Sequence, residues 1–178
     1  MLDLLPFTAD DIDRLVGWVP SVEEHFLWTA SGFEYPLDCE KFRRFFEDSV
    51  QRGDRLFFKA VERESGEAVG HIELGAIDRH HRSLRIGRVL IAPAAQGRGL
   101  GAEMMRRALD LAFGELGMHR VELGVFHTNA RAIACYERVG FRSEGVRREA
   151  WMALGRRWSE VLMGILAPEW AALGDGSG

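Results

Sequence analysis

Gln96, Gly97, Arg98, Gly99, Leu100 and Gly101 form a loop whose residue types suit one task, the binding of an anion. Three glycines at alternate positions let the main chain approach a ligand closely and turn its N–H groups toward it. A strand-like run over residues 86–91 leads in, Pro93 breaks it, and a helix is expected over 99–116. The positive end of that helix's dipole adds to the amides, so a phosphate-bearing cofactor is the natural guest. A rival template fits the same residues. Gly97-x-Gly99-x-x-Ala102 satisfies the dinucleotide fingerprint, with Glu122 near the distance of a ribose-binding acid. That fingerprint, however, needs its glycines directly at the strand end, and Pro93-Ala94-Ala95-Gln96 intervene here. A glycine-rich loop with no ligand is the plain alternative to both.

A second group of residues follows. His119 to Val125 reads as a short strand with Val121, Leu123 and Val125 alternating onto one face. Residues 128–141 then read as a helix with Thr128 or Asn129 at its N-cap and Gly140 at its C-terminal stop. Helical spacing puts Asn129 at the mouth and Tyr136 two turns along, on nearly the same face.

Gln96-x-x-Gly99-x-Gly101 followed by Asn129-x-x-Ala132-x-x-x-Tyr136-x-x-x-Gly140-Phe141 resembles the GCN5-related N-acetyltransferase (GNAT) superfamily. The resemblance is clear over residues 57–141. It extends more loosely to Leu166, where Arg147 and the stretch Gly155 to Met163 are similar to the closing hairpin of ribosomal-protein-type N-terminal acetyltransferases. The implied fold is mixed α/β in three layers, a central splayed mixed β-sheet flanked by helices. The implied activity is transfer of an acetyl group from acetyl-CoA to a primary amine, on a peptide or protein N-terminus or a small molecule, by direct attack in a ternary complex. An acyl-CoA-binding sensor without turnover is the competing reading.

In that setting the resemblance implies that Val89, Leu90 and Ile91 bond the pantetheine arm through their main chain, while their side chains pack as core. Gln96, Gly97, Arg98, Gly99, Leu100 and Gly101 would hold the pyrophosphate, Arg98 adding a charge-assisted contact. Asn129 would cap its helix and also touch the pantetheine arm. Tyr136 matches the family's general acid: a phenol of pKa about 10 suits a departing thiolate of pKa near 8.5. The general base departs from the pattern. The glutamate that some relatives carry five residues before the asparagine is Gly124 here. Glu73 is the best replacement, with His71 and His127 behind it and a water chain as the other route. Glu23, Glu24, Glu34 and Asp38, around the aromatic segment from Phe26 to Tyr35, could favour a cationic acceptor.

The elements that must position these groups fit one domain over residues 1–170, with a tail over 171–178 expected to be disordered. At 178 residues, 47% hydrophobic and 28% charged, the chain can bury a real core. A net charge of −4 argues against nucleic acid as a partner. No apolar run approaches the ~20 residues of a membrane span and no leader pattern opens the chain, so a cytoplasmic protein, monomer or homodimer, is expected. Cys39 and Cys135 are isolated and the six histidines lack ligand spacing, so no metal is expected. Helices are expected over about 11–18 and 41–51, with an irregular aromatic stretch between them. A three-strand meander is expected over 55–62, 68–77 and 84–91, with turn residues at 64–67.

Overall fold

The computed structural model describes residues 1–30 and 32–175. Seven strands form one sheet: β1 (Leu2–Pro6), β2 (Arg55–Glu62), β3 (Ala68–Asp78), β4 (Ser83–Ile91), β5 (Arg120–Phe126), β6 (Arg142–Ala153) and β7 (Arg156–Leu166). Their spatial order is β1-β2-β3-β4-β5-β7-β6. Every neighbouring pair is antiparallel except β4 with β5, which run parallel. The helices are α1 (Ile12–Gly17), α2 (Val22–Thr29), α3 (Cys39–Arg52), α4 (Leu100–Asp110), α5 (Ala130–Val139) and α6 (Ala167–Asp175). The expected three-layer mixed α/β architecture is what forms.

Strand alternation divides the core between the two faces of the sheet. On one face Ile72, Leu74, Leu84, Ile86, Val121 and Leu123 meet Leu100, Met104, Met105, Ala108 and Leu109 of α4. On the other, Phe57 packs with Phe7, Ile12, Leu15, Trp28 and Phe42, an aromatic cluster held by α1, α2 and α3. The core face of α4 is therefore the one its helical spacing implies.

The feature that makes a site is the parallel pair. β4 and β5 are in register only over Ser83↔Arg120, Leu84↔Val121 and Arg85↔Glu122. Beyond that point β5 continues along β7 as far as Phe126↔Glu160, and β4 continues along β3 as far as Gly70↔Ile91. The sheet splits into two arms with a wedge between them, as the resemblance implies. Inside β4 the pairing with β3 also slips, from His71↔Leu90 to Glu73↔Gly87. Arg88 sits in that irregularity with φ +44°, an unusual conformation for a residue with a side chain.

Three elements differ from the sequence reading. β1 is an additional strand at the sheet edge. α2 occupies part of the stretch expected to be irregular, and Ser21 caps it by accepting from Glu24 N. The tail expected over 171–178 begins instead as helix, since α6 runs to Asp175; residues 176–178 lie outside those described. Among the described residues no helix is long and apolar enough to cross a membrane.

Candidate active site

A cavity of about 440 Å³ opens in the wedge on the α4 side. One wall is β4 at Val89, Leu90 and Ile91, and another is the turn from Gln96 through Gly97, Gly99, Leu100 and Gly101. Asn129, Ala132, Cys135 and Tyr136 of the α5 segment face them, and Trp18, Val19, Leu27 and Trp28 close the end. Gly97 and Gly99 hold φ of +81° and +80°, which a β-branched residue resists. Gly101 does not need that freedom, and a Cβ there would meet only ordinary contacts at 3.7 and 3.8 Å. Gly99 is the residue from which α4 starts, so the helix's free amides lie at the cavity wall. This cradle fits a pyrophosphate: bare backbone, a helix N-terminus, and Arg131 and Arg138 in the lining.

The individual side chains sort as follows. Asn129 caps α5, its Oδ1 accepting from Ala132 N at 3.1 Å, and also lines the cavity. Gln96 donates to the Ile91 carbonyl at 3.3 Å and accepts from Arg131 at 3.1 Å, tying the loop to β4 and α5. Arg98 departs from expectation: it pairs with Glu62 at 2.6 Å and does not line the cavity. Arg131 and Arg138, which the motif did not single out, are the cations present. Tyr136 faces the cavity with its ring against Phe141. Burial pushes its phenol well above the ordinary value, and the adjacent Cys135 adds to this, so the hydroxyl keeps its proton.

A second cavity, of about 390 Å³, lies on the opposite side of the split. Ile86, Gly87 and Arg88 line it, so the step from Arg88 to Val89 is where β4 passes from one cavity to the other. Leu27 and Trp28 of α2 line both. Arg55, Arg85, Arg147, Phe126, Trp151 and Glu160 are also in the wall of the second cavity.

Glu73 is fully buried beneath it. One oxygen is 3.2 Å from His71 Nε2, and the other accepts from Arg55 at 2.9 Å and Arg88 at 2.6 Å. Burial alone would raise its pKa; the His71 hydrogen bond and the two guanidiniums outweigh that and hold it below the usual carboxylate range. Such a group clamps arginines well and takes up protons poorly. His71 is also fully buried, and His127 is exposed with its ring on the Ser159 carbonyl. Gly124 has a structural reason to be bare. A Cβ there would collide with the Glu160 carboxylate and the Arg85 guanidinium. Glu160, from β7, thus occupies the space that a side chain at position 124 would take, and it accepts from Arg85 at 2.8 Å and Arg147 at 2.9 Å.

Of the acids expected to favour a cationic acceptor, Glu23, Glu34 and Asp38 line neither cavity. Glu23 pairs with Arg156, Glu34 with Lys41, and Asp38 caps α3. Glu24 lines only the first cavity. Among the described residues no cluster of His, Cys, Asp or Glu could hold a metal.

Comparison with known proteins agrees with this geometry. The model of the acetyltransferase (GNAT) family matches residues 19–141. A spermidine N(1)-acetyltransferase of Vibrio cholerae is 34% identical over 139 residues, 75% of this chain and 77% of that protein. A putative ribosomal N-acetyltransferase of Bacillus subtilis is 31% identical over 105 residues, 59% of this chain and 57% of that protein. The solved spermidine N-acetyltransferase from Vibrio cholerae in complex with CoA and spermine aligns with a TM-score of 0.84 at 25% identity, covering 96% of this chain and 98% of that one. Ribosomal-type and polyamine-type enzymes are both relatives, the latter over more of the chain.

Proposed function

Because the chain belongs to the acetyltransferase (GNAT) family and uses acetyl-CoA to acetylate an amine, we propose that the two cavities are its two substrate sites, joined at Arg88–Val89. Acetyl-CoA enters the first, with its pyrophosphate on the amides of residues 96–101 and its pantetheine arm along Val89, Leu90 and Ile91. A small primary amine enters the second. The amine attacks the thioester carbon directly; a C–N bond forms, the C–S bond breaks, and CoA leaves as the thiol.

The observation that carries this reading is that two cavities adjoin at consecutive residues of one bulged strand, Arg88 and Val89, and share Leu27 and Trp28 in their walls. Such a layout brings two reactants together without a covalent enzyme intermediate and supplies the entropic advantage of a ternary complex. Tyr136, on the wall of the first cavity, is the proton donor to the departing sulfur; burial raises its pKa, which keeps the proton in place but makes the phenol a weaker acid than a free tyrosine. The amine's proton leaves by water. Glu73 and Glu160 are each committed to two guanidiniums, which makes them positioning residues and not bases.

Incubating the purified chain with acetyl-CoA, a thiol reagent and a panel of amines tests the proposal. Amine-dependent thiol release with acetylated product supports it. Thermal stabilisation by CoA with no turnover of any amine would favour a sensor instead.

A further inference from the structure

The second cavity is lined by four arginines and one glutamate. Arg55 and Arg88 share Glu73 below, and Arg85 and Arg147 share Glu160 at the side, so four guanidiniums meet two carboxylates. Two positive charges are left over. The guanidiniums step from floor to mouth, with side-chain exposures of 16% for Arg88, 25% for Arg55, 39% for Arg85 and 53% for Arg147. Each gives the paired carboxylate one N–H contact, from a group that has five to offer. Buried Nε atoms of Arg55 and Arg88 have no hydrogen-bond partner among the described residues.

Several groups keep these arginines in place. The Arg88 guanidinium lies 4.6 Å from the Phe45 ring centre and 5.3 Å from that of Phe33, and Arg55 lies 5.4 Å from Phe45. Trp151 Nε1 donates to the same Glu160 oxygen that Arg147 uses. Stacking and shared carboxylates leave the planar forks preset, the arrangement that recognises a carboxylate or phosphoryl group.

Resting on the transferase reading above, we propose that the acceptor is a small amine carrying its own anionic group, an amino carboxylate or amino phosphonate, whose anion docks on Arg55, Arg85, Arg88 and Arg147. A polyamine of the kind named for the Vibrio cholerae relative would bring positive charge to a positive cavity. The same surplus favours the neutral form of an incoming amine over its ammonium. The cavity thus does part of a base's work by electrostatics, while the anion supplies the attraction that brings the amine in.

Matched pairs isolate the anion: glycine against glycinamide, β-alanine against β-alaninamide, L-phenylalanine against phenethylamine, with 2-aminoethylphosphonate and spermidine alongside. Each amide has the lower amine pKa, so nucleophile availability works against the expected result. The anionic member should show kcat/KM about 10- to 100-fold above its partner, and spermidine should fall below both. In Arg147→Gln and Arg85→Gln that ratio should fall toward one, Arg147→Lys should restore part of it, and stabilisation by CoA should persist in all three. Neutral amines or spermidine preferred by the unaltered protein overturn the inference and leave the transferase reading intact. Calorimetric binding of the same pairs to the CoA-bound protein reads the preference without turnover. A carboxylate preference there with no acetylation defeats the transferase reading alone; no preference in binding or turnover defeats the inference.

Discussion

Glu73→Gln separates a clamp from a base. In the native chain the Glu73 carboxylate is fully buried and pairs with both Arg88 and Arg55, themselves only 16% and 25% exposed. Glutamine keeps the shape and an acceptor oxygen but removes the charge, leaving two guanidiniums facing each other with no counterion at that depth. Breaking a buried pair by removing one partner costs about 3–5 kcal/mol. Access of water to both arginines places this case near the lower end. A chain of this size loses roughly 2–4 °C of Tm per kcal/mol, so a fall of about 6–12 °C is expected in a calorimetric scan at neutral pH. The gap has a defined pH dependence. Glu73's pKa is lowered on folding, so its stabilisation is fully present above the ordinary carboxylate pKa and is lost as pH drops through the depressed folded value. Native and variant curves should therefore converge only at strongly acidic pH. With CoA bound, kcat at saturating acceptor should change by less than about tenfold, the main loss being in acceptor KM. An unchanged Tm together with a kcat lowered by ~10²–10⁴-fold, the range expected for a lost general base, would refute this reasoning and make Glu73 the base.

Tyr136→Phe should leave Tm and CoA affinity close to native and lower kcat by ~10²–10⁴-fold; turnover within a few-fold would leave Tyr136 a packing residue, and lost CoA binding would make it a cofactor-positioning one. Gly99→Val should abolish most of the CoA-induced Tm rise, because φ +80° opposes a β-branched residue, whereas Gly101→Ala should keep it; equal shifts in both variants would remove residues 97–101 from pyrophosphate binding. With no enzymic base, the pH profile of kcat/KM should inflect at the acceptor amine's own solution pKa and move when a less basic amine is substituted. An inflection that stays fixed across amines would indicate a titrating group on the protein.

Legibility in the sequence followed the range of the interactions involved. The cofactor side is written in backbone chemistry over short spans. Gly97, Gly99, the start of α4, and the Asn129 cap are each set by neighbours a few residues away, so their pattern survives in one dimension. Arg98 pairs with Glu62 of β2, a contact its loop sequence does not reveal, because that sequence places a cation near the glycines without saying which way it turns. The second cavity is assembled from β2, β3, β4, β5, β6 and β7, with Leu27, Trp28 and Thr29 from α2. No local window contains Arg55, Arg88, Arg147 and Glu160 together, and the bare Gly124 looked like a missing glutamate until Glu160 filled its space. α2 did leave a trace. Ser21 and Glu24 stand at capping-box spacing, and the Ser21 hydroxyl donates to Glu24 at 3.0 Å. Phe26 and Trp28 hid that signal, because aromatic residues have middling helix propensity and these two are held in the helix by packing.

The crossing of β4 from one cavity to the other within a single residue step has an evolutionary corollary. On the proposed reading, Val89, Leu90 and Ile91 face the donor and Arg85, Ile86, Gly87 and Arg88 face the acceptor, in adjoining segments of one strand. Substitutions that retune what is acetylated can therefore accumulate on one side of Arg88–Val89 without disturbing the donor site on the other. One strand would then carry a half held by the shared donor and a half free to follow the acceptor through its arginines and their carboxylates.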